Sequence, residues 1–345
     1  MSAAVDHISN DSVSTVHQEK STTFIPVDKF ENVGSMSQDE NISARADSHA
    51  PPMQAELEPE LRWSKFREYG RDFFSEFAGT MIMILFGDGV VAQVILSEDQ
   101  KGNYQSISWG WGLGVMLGVY VASKSGGHLN PAVTLANCIY RGHPWRKFPV
   151  YFMGQLLGCM AGAFIMYGTY YQAFSNLEGG TQRTMLTAGI FCTYPADFLT
   201  TEAMWWSEFV SSTILIFVIF ALADPHNGNA GKFMPLALFF LIFGIGACFG
   251  WQTGYAINLA RDFGPRLVSY IVGYPFEVWS AGNYYFWIPM VAPFFGCTFG
   301  GFLYDVFIFT GESPINTPWM GLKRFTQPNR KTWSNTYRAQ EISKV

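Results

Sequence analysis

The chain has 345 residues, of which 14% are charged and 17% aromatic, with a formal net charge of −5. Soluble domains carry about 25% charged residues, so this balance excludes an ordinary soluble globule and points to a chain solvated by lipid. The acidic balance gives no footing for nucleic acid. The five cysteines show neither CxxC nor paired-ligand spacing, so they read as packing residues and no metal or cofactor is expected.

Residues 1–65 are polar, serine-rich and without apolar periodicity, which predicts a disordered N-terminal tail. No apolar segment of the signal-peptide kind opens the chain, so insertion is expected to use the first span. Two sequons, Asn10-Asp11-Ser12 and Asn41-Ile42-Ser43, fall in that tail. Six apolar stretches follow, near 72–96, 106–123, 148–172, 204–223, 233–251 and 284–310, each close to the roughly 20 residues a membrane helix needs. Two more, near 130–140 and 258–272, are too short to span and read as half-helices that enter and stop. Basic residues cluster before the first span (Arg62, Lys65, Arg67, Arg71), between spans two and three (Lys124, Arg141, Arg146, Lys147) and after span six (Lys323, Arg324, Arg330, Lys331). The excess of Lys and Arg on one side predicts that both termini, including the tail 311–345, are cytoplasmic.

The two short stretches open alike, on Asn130-Pro131-Ala132 and on Asn258-Leu259-Ala260-Arg261. Asn at a helix N-cap leaves backbone N–H groups and a positive dipole end facing outward, which lipid tolerates only where the backbone lines a polar cavity. The spans repeat as well. Ser75-Glu76-Phe77-Ala78-Gly79-Thr80 opens the first and Ser207-Glu208-Phe209 the fourth, while Gly158-Cys159 and Gly296-Cys297 fall in the third and sixth. Three spans separate the copies, so the second is inverted and the site belongs at the midplane. Glu76 and Glu208 are the acidic residues singled out inside the spans. Their matching positions suit carboxylates that accept hydrogen bonds from the non-helical backbone before each half-helix.

Between about Phe66 and Phe309 these features together resemble the major intrinsic proteins, the aquaporin and aquaglyceroporin family, and fungal members in particular. The resemblance implies an all-α membrane fold of six transmembrane helices plus two re-entrant half-helices, with repeats at about 66–172 and 204–310. It also implies a pore in each subunit of a homotetramer. One departure is Leu259, where the family usually has Pro. Proline at N1 is favoured because its φ is pre-set and its missing N–H costs nothing there, so Leu259 implies an altered constriction in a working pore. The carry-over puts Asn130 and Asn258 at the pore midplane, with Pro131, Leu259 and His128 as support. Trp111, Gly246, Tyr255 and Arg261 fall at the selectivity filter.

The implied activity is passive conduction of glycerol and water without protons or ions, in the plasma membrane. Aromatic Trp111 and Tyr255 suit the carbon edge of glycerol and the guanidinium of Arg261 its hydroxyls, with Gly246 leaving room. A water-selective channel is the alternative, and a proton-coupled polyol symporter a further one. An enzyme is not expected, because the six histidines are scattered and no nucleophile and base converge.

Overall fold

In hydrocarbon every backbone polar group must be satisfied within the segment itself, so the apolar stretches have to become helices. A computed structural model describes residues 61–317 and 320, and no strand occurs among them. The tail as far as residue 60, with its two sequons, and the basic residues after 320 lie outside the described residues.

The described chain starts with α1 (Arg62–Tyr69), so residues 62–65, read from the sequence as part of the tail, are helical. Trp63 and Phe66 stack at 5.2 Å, and Phe66 meets Phe74 at 5.5 Å. This aromatic ladder lies among basic residues whose polarity hid the helix. After it come α2 (Arg71–Leu96), α3 (Tyr104–Val121), the short α4 (Pro131–Tyr140), α5 (Phe148–Leu177) and α6 (Met185–Ala188). The second half holds α7 (Thr201–Ala223), α8 (Met234–Thr253), the short α9 (Leu259–Ile271), α10 (Glu277–Tyr284) and α11 (Trp287–Phe307). Among the described residues α2, α5, α7, α8 and α11 are long and apolar enough to cross a membrane. The sixth long helix, α3, is the exception. It packs between α2 and α8, so its Ser and Gly residues face protein and it needs less apolar surface. The expected six long helices and two half-helices are therefore present.

The halves pack crosswise. α2 lies on α3 and α5, and α7 on α8 and α11; the half-helix α4 packs on α11 of the other half, and α9 on α5. Small residues allow these close approaches, as at membrane helix interfaces generally. A Cβ added at Gly158 would run into the Phe77 carbonyl and the Thr80 hydroxyl, and one at Gly296 would lie 2.5 Å from the Phe209 carbonyl. Each contact falls one residue after the buried glutamate of its half. Gly158→Val should therefore wedge α2 from α5 and lower stability by roughly 1–3 kcal/mol or more. Thermal unfolding in detergent reads this, and an unchanged midpoint would contradict the packing. Lys147 and Asp72 pair at 2.7 Å, so the basic cluster between spans two and three meets the start of α2.

Candidate functional site

The site is built where two left-handed loops meet. Gly127 and Leu129 have φ of 62° and 52°, and Tyr255 and Ile257 have 39° and 43°. Positive φ at Leu and β-branched Ile is strained, at a cost of about 1–3 kcal/mol each, and persists only where the surroundings fix it. Two carboxylates do so. Glu76 accepts from the backbone N–H of His128 at 3.0 Å and of Leu129 at 2.8 Å, and from Ser125 and Gln155 at 2.5 and 2.8 Å. Glu208 accepts from the N–H of Ala256 at 2.9 Å and of Ile257 at 2.7 Å, and from Thr253 and Tyr285 at 2.7 and 3.3 Å. Both carboxylates are fully buried.

Each loop ends on an asparagine cap. The Asn130 side chain accepts from the Ala132 N–H at 2.9 Å, and the Asn258 side chain from those of Ala260 and Arg261 at 3.0 and 3.3 Å. The caps also cross. Asn130 Nδ2 donates to the Ile257 carbonyl and Asn258 Nδ2 to the Leu129 carbonyl, both at 2.8 Å. An amide nitrogen has two hydrogens, so each asparagine keeps one donor for a visiting oxygen. The change from Pro131 to Leu259 leaves the cap backbone nearly unaltered, with φ −152° at Asn130 and −156° at Asn258. Leucine at N1 simply adopts the helical φ that proline has pre-set.

One cavity of about 260 Å³ has Asn130 and Asn258 among its walls, together with His128, Arg141, Trp111, Tyr255 and Arg261. Its remaining walls are largely apolar, including Met83, Val115, Leu238 and Ile242. Arg261 is buried, with its guanidinium carbon 4.2 Å from the centre of the Trp111 ring and Nη1 donating to the Phe191 carbonyl at 3.4 Å. His128 sits beside Thr134, with Nδ1 and Oγ1 at 3.2 Å, and edges against His143 and Tyr151, each at 5.0 Å. Burial and the nearby Lys147 cation hold the His143 imidazole below its ordinary range.

Of the expected filter residues, Trp111, Tyr255 and Arg261 come together, while Gly246 stands behind them. A Cβ at Gly246 would lie 2.8 Å from the Tyr255 phenol. The room that the glycine was expected to leave for a permeant is thus taken by Tyr255, whose ring folds back onto α8. Gly246→Ala should push that ring into the cavity and lower glycerol flux more than water flux. Light scattering from vesicles reads both, and an unchanged ratio would show that Tyr255 yields elsewhere.

Several contributors were invisible as motifs. Asp262 accepts from the Thr193 N–H at 2.8 Å and from Arg266 Nε at 2.9 Å. Arg266 in turn donates to the Thr193 and Val278 carbonyls at 2.7 and 2.6 Å. This buried pair pins the loop carrying Phe191 against α9 and so places the carbonyl that meets Arg261. The spans also hold more acids than Glu76 and Glu208. Asp305 is buried and pairs with Arg141 at 2.7 Å, and Asp88 is fully buried in α2. An ionisable residue within an apolar run was the signal for both.

The family model described as Major intrinsic protein matches residues 62–304. The chain is 64% identical over 332 residues to "Probable aquaglyceroporin-2" of Gibberella zeae, covering 95% of this chain and 98% of that one. It is 64% identical over 283 residues to "Aquaglyceroporin-9" of Botryotinia fuckeliana, covering 80% of this chain but only 62% of that longer protein. Among solved structures, the aquaglyceroporin from Plasmodium falciparum superposes with a TM-score of 0.64 at 32% identity, covering 70% of this chain and 97% of that one.

Proposed function

The chain belongs to the major intrinsic protein family, and we propose that it is a passive transmembrane channel conducting glycerol and water while excluding protons and other ions. The observation that carries this is the crossed pair of caps. Asn130 and Asn258 each tie one amide hydrogen to the opposite loop, and the other is left for a solute in the shared cavity. A water oxygen held by both donors has its lone pairs occupied, so it cannot pass a proton along a chain of waters. Two half-helix N-termini pointing at the same place add a positive potential that repels cations.

In the same cavity, Trp111 and Tyr255 offer apolar surface and Arg261 offers a fork of donors. A three-carbon polyol presents these two edges together, and this favours the aquaglyceroporin reading over a water-selective one. Pro131, Leu259 and His128 act as supports for the loops, and Glu76 and Glu208 as the anchors. The outward faces of α8 and α11 carry exposed Phe240 and Phe295, a surface for lipid and for further copies in a homotetramer. Residues 66–310 form the channel domain, with both termini cytoplasmic and the plasma membrane as the location.

The test is osmotic. Vesicles containing the purified protein should swell or shrink faster than empty ones under a water gradient and again under a glycerol gradient. Acceleration with water alone would favour the water-selective reading.

A further inference from the structure

Asp88 is not among the residues that line the cavity, and its surroundings are unlike those of the other buried acids. Glu76 and Glu208 each accept four hydrogen bonds, Asp262 is paired with Arg266, and Asp305 with Arg141. Asp88 is fully buried, yet neither of its carboxyl oxygens has a partner among the described residues. It lies on the face of α2 that also carries Glu76, Thr80 and Ile84, all fully buried. Burying a carboxyl without a partner is unfavourable enough that such a group, when retained, marks a function.

Arg261 is the complementary case. It is a buried cation with no salt bridge among the described residues, only the long bond to the Phe191 carbonyl and the Trp111 ring beneath it. The link between them is the Trp111 ring, which lies against the Arg261 guanidinium and presses on Gly87, the residue immediately before Asp88, so closely that no Cβ fits between them. A cation without a salt bridge thus lies against the filter tryptophan, and the unpartnered acid follows the residue on which that ring presses.

We propose that Asp88 is a positioning and specificity-determining residue whose proton-binding carboxyl sets the positive field that Arg261 presents to permeants. This rests on the reading of Arg261 as a filter group. With the carboxyl neutral, Arg261 repels cations at full strength and its fork is available to polyol hydroxyls. As pH rises the carboxyl ionises, offsets that charge and draws the guanidinium away from the permeant. Glycerol conduction relative to water then falls, and cation exclusion relaxes. The other titratable groups facing Asp88 are Cys159 on α5 and Asp262 on α9. Asp262 is already committed to Arg266 and Thr193, and α3 contributes the uncharged Trp111.

The experiment uses the full chain in vesicles equilibrated from mildly acidic to mildly alkaline pH, with glycerol and water fluxes measured at each. The wild-type glycerol-to-water ratio should change about fivefold across one titration, the low end of coupling between interacting sites. Asp88→Asn should conduct both solutes at a ratio that no longer responds to pH. If that variant does not fold, Asp88→Glu keeps the carboxyl and should retain a titration with a displaced midpoint. In an Asp88→Asn/Arg261→Val double variant, the asparagine should add nothing to the effect of the valine. A wild-type ratio that ignores pH, an unshifted profile in Asp88→Asn or Asp88→Glu, or additive effects in the double variant would overturn the proposal. A wild type that passes no glycerol at any pH would instead overturn the channel reading beneath it.

Discussion

Glu208→Ala is expected to abolish glycerol and water flux and to destabilise the folded protein severely. The glutamate accepts from two hydroxyls and two backbone N–H groups, all buried. The hydroxyls have alternatives, since Tyr285 Oη also reaches the Thr253 carbonyl at 3.2 Å and Thr253 Oγ1 approaches Ser207 Oγ at 3.4 Å. The N–H groups of Ala256 and Ile257 have none among the described residues. At about 1–3 kcal/mol for each orphaned buried donor, the two cost roughly 2–6 kcal/mol, and the strained φ of Ile257 loses what holds it. The loop should re-lay, taking with it the Asn258 cap and the carbonyl that Asn130 uses. Glu208→Gln should do almost as badly, because one oxygen becomes an NH₂ facing an N–H. Thermal unfolding in detergent together with vesicle flux reads both, and wild-type behaviour in either variant would remove the carboxylates from the account.

Arg261→Val is expected to keep neutral flux and lose charge discrimination. A fixed cation about 8 Å from a passing ion, at an effective dielectric near 20, opposes it by roughly 2 kcal/mol, which is about thirtyfold in partitioning. Removing it should raise proton or cation leak by about that factor, while the crossed asparagines still hold passing oxygens. The ratio of glycerol to water flux should fall, because the fork that bound polyol hydroxyls is gone. Current under a pH gradient at clamped potential measures the leak, and a leak unchanged from wild type would place the charge barrier elsewhere.

Much of the scaffold is readable along the chain. A lipid environment demands about 20 apolar residues per span, so α2 at Arg71–Leu96 matches the stretch 72–96. The asparagines mark the starts of α4 and α9 because a capped end is a local device. Ends that outrun the apolar run are harder to read. α5 continues to Leu177 because Gln172, Ser175 and Asn176 end the hydropathy signal without ending the helix. What stays hidden depends on residues far apart in sequence. Nothing in the residues around Gly246 says that Tyr255 will fold into its place, and nothing around Phe191 marks its carbonyl as the partner of Arg261. The anchoring role of Glu76 was legible because the repeat supplied a second instance in Glu208. Asp88 has no counterpart in α7, where Phe220 stands at the matching position, so the repeat gives it no second instance.

In the proposed channel, crossed asparagine caps and Arg261 let a neutral polyol through while stopping charge. The most direct test follows glycerol entry and proton movement together, in wild-type vesicles with the potential clamped and a pH-sensitive dye inside. Fast glycerol entry with internal pH as steady as in empty vesicles is the predicted result. Internal pH that moves with glycerol entry would contradict the passive channel and favour coupled transport.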